Sequence, residues 1–288
     1  MTNRNRLNQQ PRDGLKACLV AVLLMVLAGQ EATAAGSDDA QALRRGVTML
    51  LTTTSGEPLG SAVVVGTAED GQWLVTSRHV VETVSRVCVV AFAGEARAAQ
   101  VLVFREPASR QALDVALLWR PDPGTCTKPP NPSMVAEWAS PMPLLAEFPV
   151  VTASGYPATR DNRQPAPRYT ESRGLPLPLL TAPIEGGFDL TSTVTVGKGM
   201  SGGGLFLGDR LVGINGTHAH PLWSGVLLSG SGQPIDPALN ARLEQVSLGV
   251  SATTIKRLLQ SAVKPTHREL KGIETLTCGP QPIPPGTF

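Results

Sequence analysis

Beyond residue 45, apolar and β-branched positions come in short runs, each closed by glycine, proline, aspartate or serine. Runs of that length and make-up read as strands rather than helices. Six occupy the first half: Gly46–Thr54, Gly60–Val65, Trp73–Thr76, Arg86–Phe92, Val101–Phe104 and Ala112–Trp119. A proline-rich connector follows over Pro121–Pro143. Strand-like runs resume at Phe148–Ala153, Phe188–Val196, Gly204–Phe206, Arg210–Asn215, Gly225–Ser229 and Val246–Val250. One late segment reads as a helix, Ser251–Ala262, with Ile255, Leu258 and Leu259 on one face and Ser251 as its cap. The tail Lys264–Phe288 is proline-rich and reads as extended, and Thr159–Pro178 reads as a surface loop. Six strands, a connector, six strands and a helix predict an all-β fold: two six-stranded antiparallel β-barrels followed by a C-terminal helix.

Composition narrows the function. The chain has 288 residues, 42% apolar and 17% charged, which is too apolar for disorder. Its 29 glycines and 25 prolines interrupt nearly every long helix and exclude a helical bundle. With 25 basic against 23 acidic residues there is no basic excess to hold nucleic acid.

The amino terminus has its own pattern. Arg4, Arg6, Arg12 and Lys16 precede the apolar run Ala17–Ala28, and Ala32-Thr33-Ala34-Ala35 follows. A basic flank, a short apolar core and an A-x-A site read as a secretory signal cut after Ala34. The run is too short to span a bilayer, so no stable membrane insertion is expected after cleavage, and an uncut anchor is the rival. Export, to a periplasm or beyond, places the mature chain in an oxidising compartment. Cys88, Cys126 and Cys278 remain there, giving one disulfide and one thiol, with three pairings open. None has metal-ligand spacing, so no metal site is expected.

Three segments carry chemistry. Trp73-Leu-Val-Thr-Ser-Arg-His79-Val-Val puts a histidine at the end of an apolar strand, where its imidazole can exchange a proton near neutral pH. Leu113-Asp114-Val-Ala-Leu-Leu-Trp119 puts a carboxylate at the mouth of another; a buried carboxylate needs a donor, and an imidazole N–H is one. Val196-Gly-Lys-Gly199-Met-Ser201-Gly-Gly-Gly204 flanks a serine with glycines, so the Gly199 and Ser201 amides can face one point and form an oxyanion hole. Each has a plain alternative: a packed histidine, a strand-entry aspartate, a glycine-rich turn.

In that order the three segments resemble those of trypsin-like (chymotrypsin-fold) serine peptidases, whose triad runs His, Asp, Ser. The nearest likeness is to bacterial exported members, through Thr76-x-x-His79-Val-Val and Gly199-Met-Ser201-Gly-Gly. Gly60-Ser-Ala-Val-Val-Val, Ser154-Gly-Tyr-Pro157 and Leu211-Val-Gly-Ile214 add to it, and it spans roughly residues 44–263. The resemblance implies a signal peptide over 1–34, an extension over 35–43 and a first barrel over 44–130. A second barrel with its helix would follow over 131–263, then a tail over 264–288, with the active site in the cleft between the barrels. It implies Ser201 as nucleophile, His79 as general base then acid, Asp114 orienting His79, and the Gly199 and Ser201 amides as the oxyanion hole. Peptide hydrolysis through an acyl-enzyme would need neither cofactor nor metal, with protein or peptide as substrate.

Departures bear on specificity. Met200 stands where zymogen-activated relatives carry an aspartate, so activation by an ion pair to a new amino terminus is not expected. Thr195 occupies the position where the resemblance places the base of the specificity pocket; it is not acidic, so no preference for Arg or Lys is expected. The opposite wall is expected from Asn215–His218, with His218 able to narrow it, against the plain reading of a solvated loop. No appended peptide-binding module of the high-temperature-requirement proteases is expected, which implies a simpler enzyme of open oligomeric state. The alternatives are an idle member of the fold serving as an envelope binding or scaffold protein, and an ester hydrolase.

Overall fold

In the computed structural model the described residues are 38–68, 70–92, 94–102, 113–121, 149–158, 167–217, 225–262, 273 and 276–280. His218, Cys126, the signal segment and most of the connector lie outside them. Residues 42–288 make one compact unit that holds both barrels.

The first barrel is closed. β1 (Thr48–Thr52), β2 (Pro58–Ala68), β3 (Gly71–Thr76), β4 (Arg86–Val90), β5 (Ala96–Leu102) and β6 (Ala116–Pro121) pair in the order β1-β2-β3-β6-β5-β4, and β1 returns to β4. Closure leaves no edge strand, and it lets a strand as apolar as Thr48-Met-Leu-Leu-Thr52 bury every residue. Trp73 of β3 stands opposite Trp119 of β6, and their rings meet edge-on at 4.9 Å.

The second half is a curled sheet of six strands. β7 (Val151–Gly155), β8 (Thr170–Gly174), β9 (Leu190–Ser192), β10 (Gly204–Leu207), β11 (Arg210–Thr217) and β12 (Ser247–Ser251) lie in the order β8-β7-β10-β11-β12-β9. Its ends meet beyond β8 rather than along it. A single bridge joins Pro176 to Ser192, with Leu177 N–H donating to Thr191 O and Thr193 N–H to Leu175 O. The expected second barrel is therefore a half-barrel closed at one point.

Several expected elements change. The surface loop assigned to Thr159–Pro178 contains β8, a polar strand (Thr-Glu-Ser-Arg-Gly) without the alternation that marks one in sequence. Gly225–Ser229 forms only isolated bridges at Leu228 and Ser229. A second late helix, Pro237–Leu243, is capped by Asp236, whose carboxylate accepts from the Ala238 and Leu239 N–H groups. The last helix runs Ala252–Ser261 with Ser251 as its N-cap, as expected, and Asp189 accepts from Ser251 N–H at 2.7 Å and Ser251 Oγ at 2.6 Å.

One hydrophobic core runs from the first barrel into the second, where Phe206, Leu211, Ile214, Val250 and Ile255 join it. The tail is strapped to the first barrel. Cys278 is disulfide-bonded to Cys88 of β4, Gly279 N–H donates to Thr54 O, and Ile273 packs against Trp119 and Ala98. Of the three open pairings, this is the one formed. The bridge closes a loop across a sequence separation of 190, so in the chain-entropy account it restricts the unfolded state strongly. Replacing Cys88 and Cys278 together by serine is expected to lower stability by about 2–5 kcal/mol in urea titration of the mature protein, and a loss under about 1 kcal/mol would contradict that role.

Candidate active site

His79 is carried by the short helix Arg78–Val81, which opens directly after β3. Ser77 occupies the N-cap position without capping through its side chain, because its hydroxyl donates instead to Asn215 O at 3.0 Å. The first amides of a helix lack partners within it, and Asp114 supplies one: its Oδ1 accepts from His79 N–H at 2.9 Å. The same carboxylate meets His79 Nδ1, with Oδ2 at 2.8 Å and Oδ1 at 3.0 Å. Asp114 is thus held to both backbone and ring of one residue. It lies two residues before β6, and its own N–H donates to Gly186 O at 2.7 Å.

Asp114 is 13% exposed and His79 48%, so the carboxylate is sheltered while the imidazole edge reaches solvent. The hydrogen bond from Asp114 raises the His79 pKa above its ordinary 6.5; burial opposes this, and the charges of Asp114 and Glu82 add to it.

Ser201 sits in the turn between Met200 and β10, braced by residues of both barrels. Its carbonyl accepts from Ser61 N–H at 3.0 Å, and Ser61 Oγ donates to Gly199 O at 2.8 Å. Gly202 has φ +80°, and a Cβ there would overlap Thr76 Oγ1 and Ser61 O. Val80, the neighbour of His79, packs over Gly60 beside the Ser201 carbonyl, so the serine turn and the histidine helix meet at one point of β2. Among the described residues no hydrogen bond joins Ser201 Oγ to His79.

The amides of the turn divide into two sets. Met200, Gly202 and Gly203 N–H donate to Gly197 O, Asn215 O and Met200 O. Among the described residues, Gly199 and Ser201 N–H have no acceptor. Their orientation follows from peptide planarity, since C=O and N–H of a trans unit point opposite ways. Lys198 O accepts from Ala158 N–H at 2.6 Å and Met200 O accepts from Gly203 N–H at 3.0 Å, which turns the following N–H groups outward. Gly199, at φ +92°, makes this possible, and Tyr156 O stands 2.6 Å from where a Cβ would be.

The other anticipated residues fall as follows. Met200 is buried with Val151, Ala153, Val194 and Leu205, an apolar anchor for the turn. Thr195 is exposed and its N–H donates to Ser172 Oγ. Asn215 was expected in a pocket wall, but its side chain is buried, donating to Ser154 O at 3.0 Å. It is a strut beneath the turn. Ser61, Ser77 and the Glu185–Gly187 turn were not anticipated, and the sequence carries no sign that the two serines are buried. A cleft of about 370 Å³ adjoins Asp114 through Leu113 and Gly186, and neither His79 nor Ser201 lines it. Among the described residues no group of three or more His, Cys, Asp or Glu could hold a metal.

No protein-family model matches the sequence, and no curated protein matches it. Solved structures do. An alanine-substituted form of the HtrA-type protease AlgW with a tripeptide aligns at TM-score 0.53 and 18% identity, over 81% of this chain and 65% of that one. This chain has the trypsin-like fold. The AlgW protease with a decapeptide gives TM-score 0.51 and 18% identity over 78% of this chain and 66% of that one. With a tripeptide it gives 0.51 and 20% over 78% and 62%. The chain thus spans a little under two thirds of these neighbours.

Two outcomes are expected here. An NMR titration of His79 gives a midpoint above 6.5, and Asp114→Asn lowers it, because burial then outweighs the remaining charge of Glu82. The pair's contribution to stability is correspondingly full below pH 6.5 and fades as pH rises through the raised value. Gly202→Ala, with a clash and a left-handed backbone together, is expected to cost about 3 kcal/mol or more in urea unfolding.

Proposed function

We propose that the chain is an exported serine endopeptidase with His79, Asp114 and Ser201 as its triad. The observation that carries this reading is the pair of outward amides at Gly199 and Ser201, which have no acceptor among the described residues. The His79–Asp114 pair and the serine between those amides give it a reaction.

Ser201 Oγ attacks the scissile carbonyl carbon while His79 Nε2 takes the hydroxyl proton. Asp114 accepts from Nδ1–H, which keeps Nε2 free to act as base and stabilises the imidazolium that forms. The carbonyl oxygen becomes an oxyanion that accepts from the Gly199 and Ser201 N–H groups. Collapse breaks the C–N bond, the amine leaves with the proton from His79, and an ester to Ser201 remains. Water, deprotonated by His79, then releases the acid and restores the serine.

The AlgW neighbours were solved with a tripeptide and a decapeptide, which supports a peptide or protein substrate. Thr195 in place of an acidic residue argues against an Arg or Lys preference, and buried Met200 leaves no carboxylate for a new amino terminus. Export rests on the pattern over 1–34 and on the Cys88–Cys278 disulfide, and no described helix is long and apolar enough to cross a membrane.

A fluorophosphonate probe is expected to label the mature protein at Ser201, with labelling abolished in Ser201→Ala. Peptide turnover in Ser201→Ala or His79→Ala is expected to fall by about 10⁴–10⁶-fold with the fold intact. Folded protein that takes no label would favour an idle binding protein, and turnover of esters without peptides would favour an ester hydrolase.

A further inference from the structure

The chain buries an arginine that the proposed chemistry does not touch. Residues 42–47 are helical, and Arg44 among them is 3% exposed. Its Nε and Nη2 donate to the two carboxylate oxygens of Glu171 at 2.9 and 3.0 Å, and Nη1 donates to Gly208 O at 2.7 Å. Glu171, 9% exposed, also accepts from Tyr169 OH at 2.6 Å. Next to it the Arg45 guanidinium lies over the rings of Phe92, at 4.7 Å, and Tyr169, at 5.6 Å.

These contacts straddle β7. Glu171 lies on β8, opposite Ser154 of β7; Gly208 follows directly after β10, the strand on the other side of β7. At its end and just beyond, β7 becomes the floor of the serine turn. Ser154 O accepts from Asn215 Nδ2, Tyr156 N–H donates to Ser61 Oγ, Tyr156 O lies against Gly199, and Ala158 N–H holds Lys198 O. Tyr156 in turn stacks edge-on against Tyr169 at 5.9 Å.

A buried ion pair is weak evidence for stability, since apolar side chains of like volume replace one at little or no cost. What a bidentate guanidinium adds is orientation. We propose that Arg44 is a positioning residue: seated on Glu171 and Gly208, it fixes β7 between its neighbours, and through Tyr156 it sets the turn that points the Gly199 and Ser201 amides outward. This rests on the reading of those amides as the oxyanion site.

The test uses the mature chain and two variants. One is Arg44→Met with Glu171→Leu, which keeps volume and removes both charges; the other is Arg44→Lys, which keeps charge and loses the fork. In each, fluorophosphonate labelling of Ser201 is expected to fall by about 10²-fold, the effect of losing one oxyanion donor. The Gly199 and Ser201 amide resonances should shift or broaden, while the low-field His79 Nδ1 proton stays where it is. Labelling at the native rate with unmoved Gly199 and Ser201 resonances in either folded variant overturns the proposal. So does a parallel loss of labelling and of the His79 signal in proportion to unfolded protein, which would mark a purely structural role. Should the native chain fail to label, the hydrolase reading falls, and the two amide resonances still decide whether Arg44 sets the turn.

Discussion

Everything at this site hangs on Ser61, a residue of the first barrel whose polar groups reach into the second. Its N–H donates to Ser201 O, its hydroxyl donates to Gly199 O and accepts from Tyr156 N–H, and its carbonyl accepts from Thr76 Oγ1. The residue has no exposure, so each of these bonds replaces one that water cannot supply. Strand β2 and the serine turn, from different halves of the chain, are thereby tied to one another by hydrogen bonds beside the strand end that leads to His79. A shared apolar core could hold the halves together, but hydrophobic contact has no direction and would not set the serine turn to a fraction of an ångström.

The turn obtains its free donors by tying down its acceptors. The carbonyls of Lys198 and Met200 are engaged by Ala158 and Gly203 N–H, and rigid peptide units turn the Gly199 and Ser201 N–H groups the opposite way. The arrangement is preorganised by bonds made on folding, so as the proposed oxyanion site it would need no reorientation. Asp114 follows the same logic on the other side. Its backbone is held by Gly186, and its carboxylate is shared between the amide and ring of His79, so the ring has one orientation in which both bonds persist.

Much of this was legible in the sequence, for identifiable reasons. Apolar runs such as Thr48–Thr52 and Ala116–Pro121 carry strong strand chemistry, and a histidine, an aspartate and a glycine-wrapped serine are conspicuous against it. The His79–Asp114 contact, between residues far apart in the chain, was anticipated from the resemblance, and a buried carboxylate's need for a donor agrees with it. The sequence hid the polar parts. β8 is Thr-Glu-Ser-Arg-Gly, a strand with no apolar face, whose Glu171 is paired with a buried arginine from another segment. Asn215 was assigned to a pocket wall by the resemblance, which fixes its place in the chain but not where its side chain turns; here backbone carbonyls surround it. Ser61 and Ser77 gave no signal, since a buried serine is distinguishable from an exposed one only by its tertiary partners.

The Cys88–Cys278 bond has a consequence for durability. Between its two half-cystines lie most of the second half of the chain and the whole serine turn. A single backbone cut anywhere in that interval leaves two pieces that remain covalently joined, with strand pairing still holding each in place. A molecule proposed to break peptide bonds at high local concentration of its own loops is thereby built to survive being nicked.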